Sequence, residues 1–182
     1  MREVSEQVPE SESRVVLARV RRADAAELIA LNCESVDYHE PWETAFKDRA
    51  GFDRWFERGI TGPNVFLIAR ERANNDVVGV INLNDIVMGA LRGAYCGYWG
   101  YPRTGRRGLM TEALREAVRF GFEELGLHRI EANIQPGNAR SIALARRAGF
   151  TKEGFSPRYL FLSGAWRDHE RWAILADDPK TT

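Results

Sequence analysis

Residues 94–135 constrain the fold more than any other stretch of this chain. A β-type run, AYCGYWG, ends at Gly100, and the loop YPRTGRRG follows it. Residues 108–125 then carry an apolar stripe at helical spacing, Leu114, Val118, Phe122 and Leu125, with Ala113, Ala117 and Gly121 beside it. A second β-type run, HRIEANIQ, stops at Pro136-Gly137. Two neighbouring strands joined by one helix lie parallel, because the helix carries the chain back to the end where the first strand began. The stretch therefore requires a sheet with a parallel pair, and a strand-to-helix junction whose first backbone N–H groups lack helical partners.

The flanking sequence extends that sheet. Residues 14–21 alternate as a strand, and Asp24 with Glu27 has the spacing of a capping box for a helix over 25–32. Residues 35–62 are aromatic-rich, with Phe52, Trp55 and Phe56 at helical spacing; core packing is the plain reading of that stripe, and a substrate lid the alternative. Residues 64–72 and 77–87 form a hairpin about Ala73-Asn74-Asn75-Asp76, and 94–100 adds a third strand after the turn at 89–93. Residues 138–148 read as a short helix stopped by Gly149, and 155–162 with 166–175 as a hairpin around Ser163-Gly164. On the wet face of the long helix, Glu112 is expected to pair with Arg115 and Glu116 with Arg119. The fold class is α/β: one domain over 14–176, a mixed, mostly antiparallel sheet with one parallel β-α-β crossover, and helices on both faces. Residues 1–13 and 177–182 are expected to be a flexible extension and tail.

Charge narrows the function. Lys+Arg and Asp+Glu both number 26, so the chain lacks the basic excess of a general nucleic-acid or membrane-surface binder. No apolar run approaches the ~18 residues of a membrane span, and the first residues lack the apolar core of a signal peptide, so neither a membrane nor direct nucleic-acid contact is expected. Cys33 and Cys96 have no metal or redox spacing, and His39, His128 and His169 are dispersed. The expectation is a cytoplasmic protein with reduced cysteines and no metal; its oligomeric state, monomer or dimer, is not legible.

Within this neutral chain Arg103, Arg106 and Arg107 gather around Gly105 and Gly108 at the strand-to-helix junction. Helix N–H groups, glycines that let a backbone approach closely, and guanidinium charge together suit a diphosphate. A solvated basic loop is the alternative. The loop contains neither G-x-x-x-x-G-K-[ST] nor G-x-G-x-x-G, which weakens nucleoside triphosphates and dinucleotides as ligands.

The segments AYCGYWG, YPRTGRRGLM, TEAL, HRIEANIQPGN, ARSIALARRAGF, EGF and GAWRDH resemble the GCN5-related N-acetyltransferase (GNAT) superfamily, and within it the RimJ/RimL-type ribosomal-protein-alanine N-acetyltransferases. The resemblance implies acetyl-CoA as co-substrate, held by Tyr98, Trp99, Gly100, Arg103, Gly105, Arg106, Arg107, Gly108, Leu109, Met110, Thr111, Asn138 and Ser141. The family loop reads Q/R-x-x-G-x-G/A. Here Arg103 and Gly108 match, Arg106 stands at the first glycine's place, and Gly105 lies one position early. Asn138, Ser141 and Gly149-Phe150 match the second family motif. The resemblance gives Asn138 the pantetheine arm; a helix N-cap is its bland role, and the two are compatible. The tyrosine that many members place seven residues after this asparagine is Ala145 here, so protonation of the departing thiolate passes by resemblance to Ser141, otherwise a plain first-turn serine.

The implied reaction is attack of a neutral primary amine on the thioester, with backbone N–H groups near residues 98–100 facing the oxyanion. An α-amine titrates near ~7.8 and is partly neutral at pH 7, whereas a lysine amine near ~10.4 needs a stronger base. Glu131 is the candidate base or water-orienting group. Asn82, Asn84 and Asp85 are candidates for the amine pocket, with turn and strand-end chemistry as the equal alternative; His39, beside Trp42, reads first as a partly buried structural histidine and alternatively as a lid residue. Asp168 is a candidate for fixing backbone or attracting the amine, and Trp166 reads chiefly as packing. The acceptor is a protein N-terminus or, alternatively, a small-molecule amine such as a polyamine, amino acid or antibiotic. A non-catalytic acetyl-CoA-binding module is the reading from another class.

Overall fold

The computed structural model describes residues 13–42 and 45–178, so the expected extension and tail lie almost wholly outside the described residues. Seven strands, β1 (Val15–Arg19), β2 (Val65–Glu71), β3 (Val77–Val87), β4 (Gly93–Gly100), β5 (Arg129–Ile134), β6 (Thr151–Leu162) and β7 (Ala165–Leu175), form one sheet in the order β1-β2-β3-β4-β5-β7-β6. Helices are α1 (Ala25–Glu34), α2 (Val36–His39), α3 (Arg49–Thr61), α4 (Leu109–Glu123) and α5 (Ala139–Ala148). Every neighbouring pair is antiparallel except β4–β5, the crossover demanded by the sequence. β3 is buried from Val77 to Leu83 without alternation, as a central strand covered on both faces must be.

Strand alternation sorts the side chains into two cores. On one face Leu67, Ile81, Leu83, Cys96, Ile130 and Ala132 pack under α4 and α5. On the other, Phe66, Ile68, Val80 and Trp99 meet Leu28 of α1 and Phe52, Trp55 and Phe56 of α3. The aromatic stripe of α3 is thus packing: Trp55 stacks on Phe66 with centroids 4.7 Å apart, and Phe52 on Phe56 at 5.6 Å. Asn75 turns the β2–β3 hairpin at φ 64° and Gly149 ends α5 at φ 108°, both in the left-handed region that asparagine and glycine tolerate.

Two local expectations fail for one reason: an arginine distant in sequence takes the carboxylate. Asp24 does not cap α1; it accepts from the Arg21 N–H at 2.7 Å and pairs with Arg70, which also takes Glu27. Glu112 ignores Arg115 and binds Arg14 Nε at 2.9 Å, while Arg115 donates to the Arg147 carbonyl. Glu116 does pair with Arg119. The final hairpin begins at Thr151 rather than 155, because Thr151 and Lys152 already pair with Ala173 and Trp172.

α4 lies close on the sheet at its N-terminal end. A Cβ on Gly79 would stand 2.5 Å from the Trp99 carbonyl oxygen and 2.7 Å from Met110 Sδ, whereas one on Gly100 would meet nothing nearer than 3.4 Å. Gly79→Ala is therefore expected to lower unfolding free energy by about 1–3 kcal/mol in urea titration, the range for overpacking, and Gly100→Ala by less than about 1 kcal/mol.

Candidate active site

β4 and β5 pair only at Gly93–Arg129, Ala94–Ile130 and Tyr95–Glu131. Beyond that last rung they part, although β4 runs to Gly100 and β5 to Ile134. The register of β4 with β3 is regular from Tyr95 to Gly100, and the Tyr101 N–H donates to Val78 on the β3 side. Alternation then turns the main-chain polar groups of Tyr98 and Gly100 toward the opening. The Gly100 carbonyl accepts from His39 Nε2 at 2.9 Å. The Tyr98 N–H is left facing the gap, a donor aimed at a space between two strands.

The Arg/Gly loop closes one end of this gap. Pro102–Thr104 makes one 3-10 turn, and the Gly105 N–H is taken by the Pro102 carbonyl at 3.0 Å. The Thr111 and Glu112 N–H groups return to the Gly108 carbonyl. Between them, the five N–H groups of residues 106–110 have no acceptor among the described residues. Arg106 adopts φ 61° and Gly108 φ 80°, and this pair of left-handed residues curls the N–H groups toward one side, as an anion nest requires. The glycine-demanding conformation thus falls at Arg106, the position where the family motif has glycine, while Gly105 is extended at φ −67°.

The charges divide. Arg107 is bound by both oxygens of buried Glu71, through Nη1 at 2.8 Å and Nη2. Arg14, which sequence reading left out, grips the Arg107 carbonyl and Glu112. These two guanidiniums brace the loop. Arg103 and Arg106 are exposed, and their side chains have no partner among the described residues. Two guanidiniums, not three, are available to an anion, together with the N–H groups of Arg106, Arg107, Gly108, Leu109 and Met110. The Gly105 and Thr111 N–H groups are already bonded, the Leu109 side chain is core, and Thr111 is buried with its hydroxyl against Arg147 Nε. The Trp99 ring points away from the gap, into the aromatic core, and donates to the Tyr101 hydroxyl.

α5 meets the gap from the opposite direction. Asn138 Oδ1 caps the helix by accepting the Ser141 N–H at 3.1 Å, which leaves its NH2 group for a ligand. The Ser141 hydroxyl donates to the Tyr98 hydroxyl at 2.9 Å, and Tyr98 donates in turn to the Ser141 carbonyl at 3.1 Å. Burial pushes the Tyr98 phenol well above its usual pKa, so it stays neutral. Ala145, where many family members carry tyrosine, is fully buried in the core. Sequence reading named Tyr98 and Ser141 separately; only the packing of α5 against β4 reveals the pair. Cys96, also beside the gap, is pushed up to about 12 by burial and is no thiolate nucleophile.

Glu131 sits at the closed end of the gap. Arg129 Nε holds its Oε1 at 2.8 Å and also pairs with Glu153, while Glu131 Oε2 has no hydrogen-bond partner among the described residues. Asp168 fixes backbone, accepting the Arg158 N–H at 2.7 Å. Asp85 is an exposed bulge residue at φ 51° whose N–H meets Asn64. Trp166 contradicts its reading as packing: it is 60 % exposed, edge-on to Phe161, and lines a cleft of about 290 Å³ with Trp42, Gln135, Pro136, Gly137, Arg167 and Asp168. Among the described residues no group of three His, Cys, Asp or Glu side chains is placed to hold a metal, and no helix is long and apolar enough to cross a membrane.

A family model described as "Acetyltransferase (GNAT) domain" matches residues 14–151. The chain is 31% identical over 175 residues to the [ribosomal protein uS5]-alanine N-acetyltransferase of Escherichia coli, covering 91% of this chain and 89% of that one. Among solved structures, Mycobacterium smegmatis RimJ in complex with CoA-disulfide superposes with a TM-score of 0.81 at 30% identity, over 92% of this chain and 86% of that one. Spermidine N-acetyltransferase from Vibrio cholerae, in complex with CoA and spermine, shares the fold, with a TM-score of 0.75 at 21% identity over 90% and 96% of the two chains.

Arg106 permits charge and backbone to be separated. Arg106→Gly relieves a left-handed residue worth about 1–2 kcal/mol while adding about 0.5–1 kcal/mol of chain entropy, so the urea midpoint is expected to stay near wild type. Loss of a charge-assisted contact should raise the KM for acetyl-CoA by roughly 3- to 10-fold in steady-state assays. The Arg107–Glu71 pair predicts a pH effect. Hydrogen bonds from Arg107 hold the Glu71 carboxyl below the usual carboxylate range. The pair therefore stabilises the fold above the ordinary glutamate value of about 4.3, and that contribution is lost as pH falls through the lowered value. Arg107→Gln is expected to be less stable than wild type at pH 7, with the gap narrowing below about pH 4 in urea titrations across pH.

Proposed function

This chain belongs to the acetyltransferase (GNAT) domain family, and from that premise we propose that it transfers the acetyl group of acetyl-CoA to the N-terminal α-amine of a protein by direct attack. Acetyl-CoA supplies the activated acetyl group. The N–H groups of residues 106–110, with Arg103 and Arg106, hold its diphosphate, and the Asn138 NH2 group holds its pantetheine arm along the open edge of β4. The Tyr98 N–H stabilises charge that develops on the thioester oxygen. Ser141, steadied by the neutral Tyr98 phenol, turns its hydroxyl to the departing sulfur. Glu131 Oε2 orients the water that takes the amine's proton. An α-amine is already partly neutral at pH 7 and needs less help from a base than a lysine does.

The cleft carries the choice of acceptor. It continues from the end of β5 between Trp42, residues 135–137 and the start of β7 at Trp166–Asp168. Its walls offer two indoles and main-chain groups, which suit an extended peptide. Among the described residues that line it, Asp168 is the one carboxylate, and that carboxylate already binds the Arg158 N–H. A polyamine with several positive charges finds little to pair with there. The uS5-alanine acetyltransferase relative supports the same class of acceptor.

The test is a screen with acetyl-CoA against peptides that begin with alanine or serine, the same peptides with blocked N-termini and an internal lysine, and spermidine. Intact mass and tandem fragmentation locate the acetyl group. Acetylation confined to free peptide N-termini is expected; turnover of spermidine alone, or of the blocked peptides equally well, contradicts the reading.

A further inference from the structure

Four buried side-chain polar atoms among the described residues lack any hydrogen-bond partner: His39 Nδ1, Trp55 Nε1, Asn82 Oδ1 and Asn133 Oδ1. Two belong to carboxamides on β3 and β5, the strands on either side of β4, and neither carboxamide has a hydrogen-bond partner among the described residues. Leaving a carboxamide oxygen buried and unpaired costs about 1–3 kcal/mol, so a fold keeps such groups where a ligand uses them.

Register puts these two asparagines in one row across the sheet. Asn82 of β3 lies opposite Gly97 of β4, with Phe66 of β2 on its other side. The last β4–β5 rung is Tyr95–Glu131, so two residues further on Gly97 and Asn133 face each other across the parting strands. Asn133 is then paired with Arg171 of β7. Alternation gives Asn82, Gly97 and Asn133 the same face, the one opposite α4 and α5. Asn82 is 8% exposed, yet a Cβ built on Gly97 would meet only Asn84 Nδ2, at 3.6 Å. The row is a hollow over a glycine, flanked by two unpaired carboxamides and open toward β5. The cleft at residues 135–137 begins two positions beyond Asn133.

We propose that Asn82 and Asn133 are catalytic residues that clamp the acceptor amine above Gly97, each accepting one of its two N–H groups. This rests on the reading that the chain acetylates a primary amine. A neutral primary amine has two N–H bonds and one lone pair. Holding both N–H groups from either side directs the lone pair into the gap, toward the thioester beside Tyr98. The amine enters from the β-face that carries Asn82 and Asn133, while the sulfur leaves toward Ser141 on the α5 face, so nucleophile and leaving group lie on opposite sides of the carbonyl. As the C–N bond forms and the C–S bond breaks, the amine keeps one N–H and releases the other proton to water.

The proposal is tested with Asn82→Leu, Asn133→Leu and the corresponding aspartate variants. Leucine conserves volume and removes an unpaired polar group, so the urea midpoints of both leucine variants should equal or exceed wild type; a structural asparagine would lower them. The variants should retain acetyl-CoA KM within about 2-fold, because the diphosphate and pantetheine contacts lie elsewhere. Their kcat/KM for the acceptor should fall at least 10-fold, and calorimetric binding of the acceptor to the CoA-saturated protein should weaken in parallel. A peptide with an N-methylated first residue offers one N–H fewer, so wild type should discriminate against it and the leucine variants should discriminate much less. Aspartate still accepts hydrogen bonds but favours the ammonium ion, so it should restore acceptor binding and move the amine limb of the pH profile upward. Unchanged acceptor kinetics, a lowered urea midpoint, or wild-type discrimination retained by both leucine variants would overturn the clamp. A wild-type chain that acetylates spermidine and not peptides overturns only the acceptor class, and the same variants are then read on spermidine. A wild-type chain that acetylates no amine overturns both.

Discussion

Everything at the site depends on β4 and β5 ceasing to pair after Tyr95 and Glu131. In a sheet interior an unpaired strand edge is costly, since its N–H and C=O groups need partners. Here the Arg/Gly loop that opens α4 and the first turn of α5 border the parting, and the edge is left to a ligand. The parting places the Tyr98 N–H on the gap, lets the Tyr98 side chain reach Ser141, and opens the hollow over Gly97. A continued β4–β5 ladder would abolish all three.

The Arg/Gly loop, which we propose holds the diphosphate of acetyl-CoA, is itself held by ion pairs. Arg107 and Arg14 look like ligands for phosphate, but Glu71 and Glu112 absorb their charge. What they provide is a rigid frame for the curl at Arg106 and Gly108. The exposed cations then belong to Arg103 and Arg106. In a chain of zero net charge, this division gives a local positive field without a basic surface.

Periodicity alone made most of the fold legible. The two-residue and 3.6-residue patterns identified the meander, α4, the crossover and the closing hairpin to within a few residues. The misplaced details were carboxylates: Asp24, Glu27 and Glu112 satisfy local spacing rules, yet each is taken by Arg70 or Arg14, whose proximity arises only when β1 and β2 assemble. At the site the motif pointed to the Arg/Gly loop but could not say which N–H groups remain free, because that depends on the 3-10 geometry of residues 102–105. Asn82 was legible as a pocket candidate. Asn133 was not, since a polar residue alternating on a strand carries no signal until register sets it opposite a glycine. Trp166 was misjudged because an indole in a hairpin usually packs, whereas this one stands exposed on a cleft.

The central claim is that acetyl-CoA occupies the gap with its diphosphate on a nest of five N–H groups. Backbone amide hydrogen exchange, read residue by residue with and without acetyl-CoA, tests it most directly. The account predicts new protection at residues 106–110 and at Tyr98, with Gly105 and Thr111 little changed because their N–H groups are already bonded. Protection confined to other segments, or none at residues 106–110 in the presence of saturating acetyl-CoA, would contradict it.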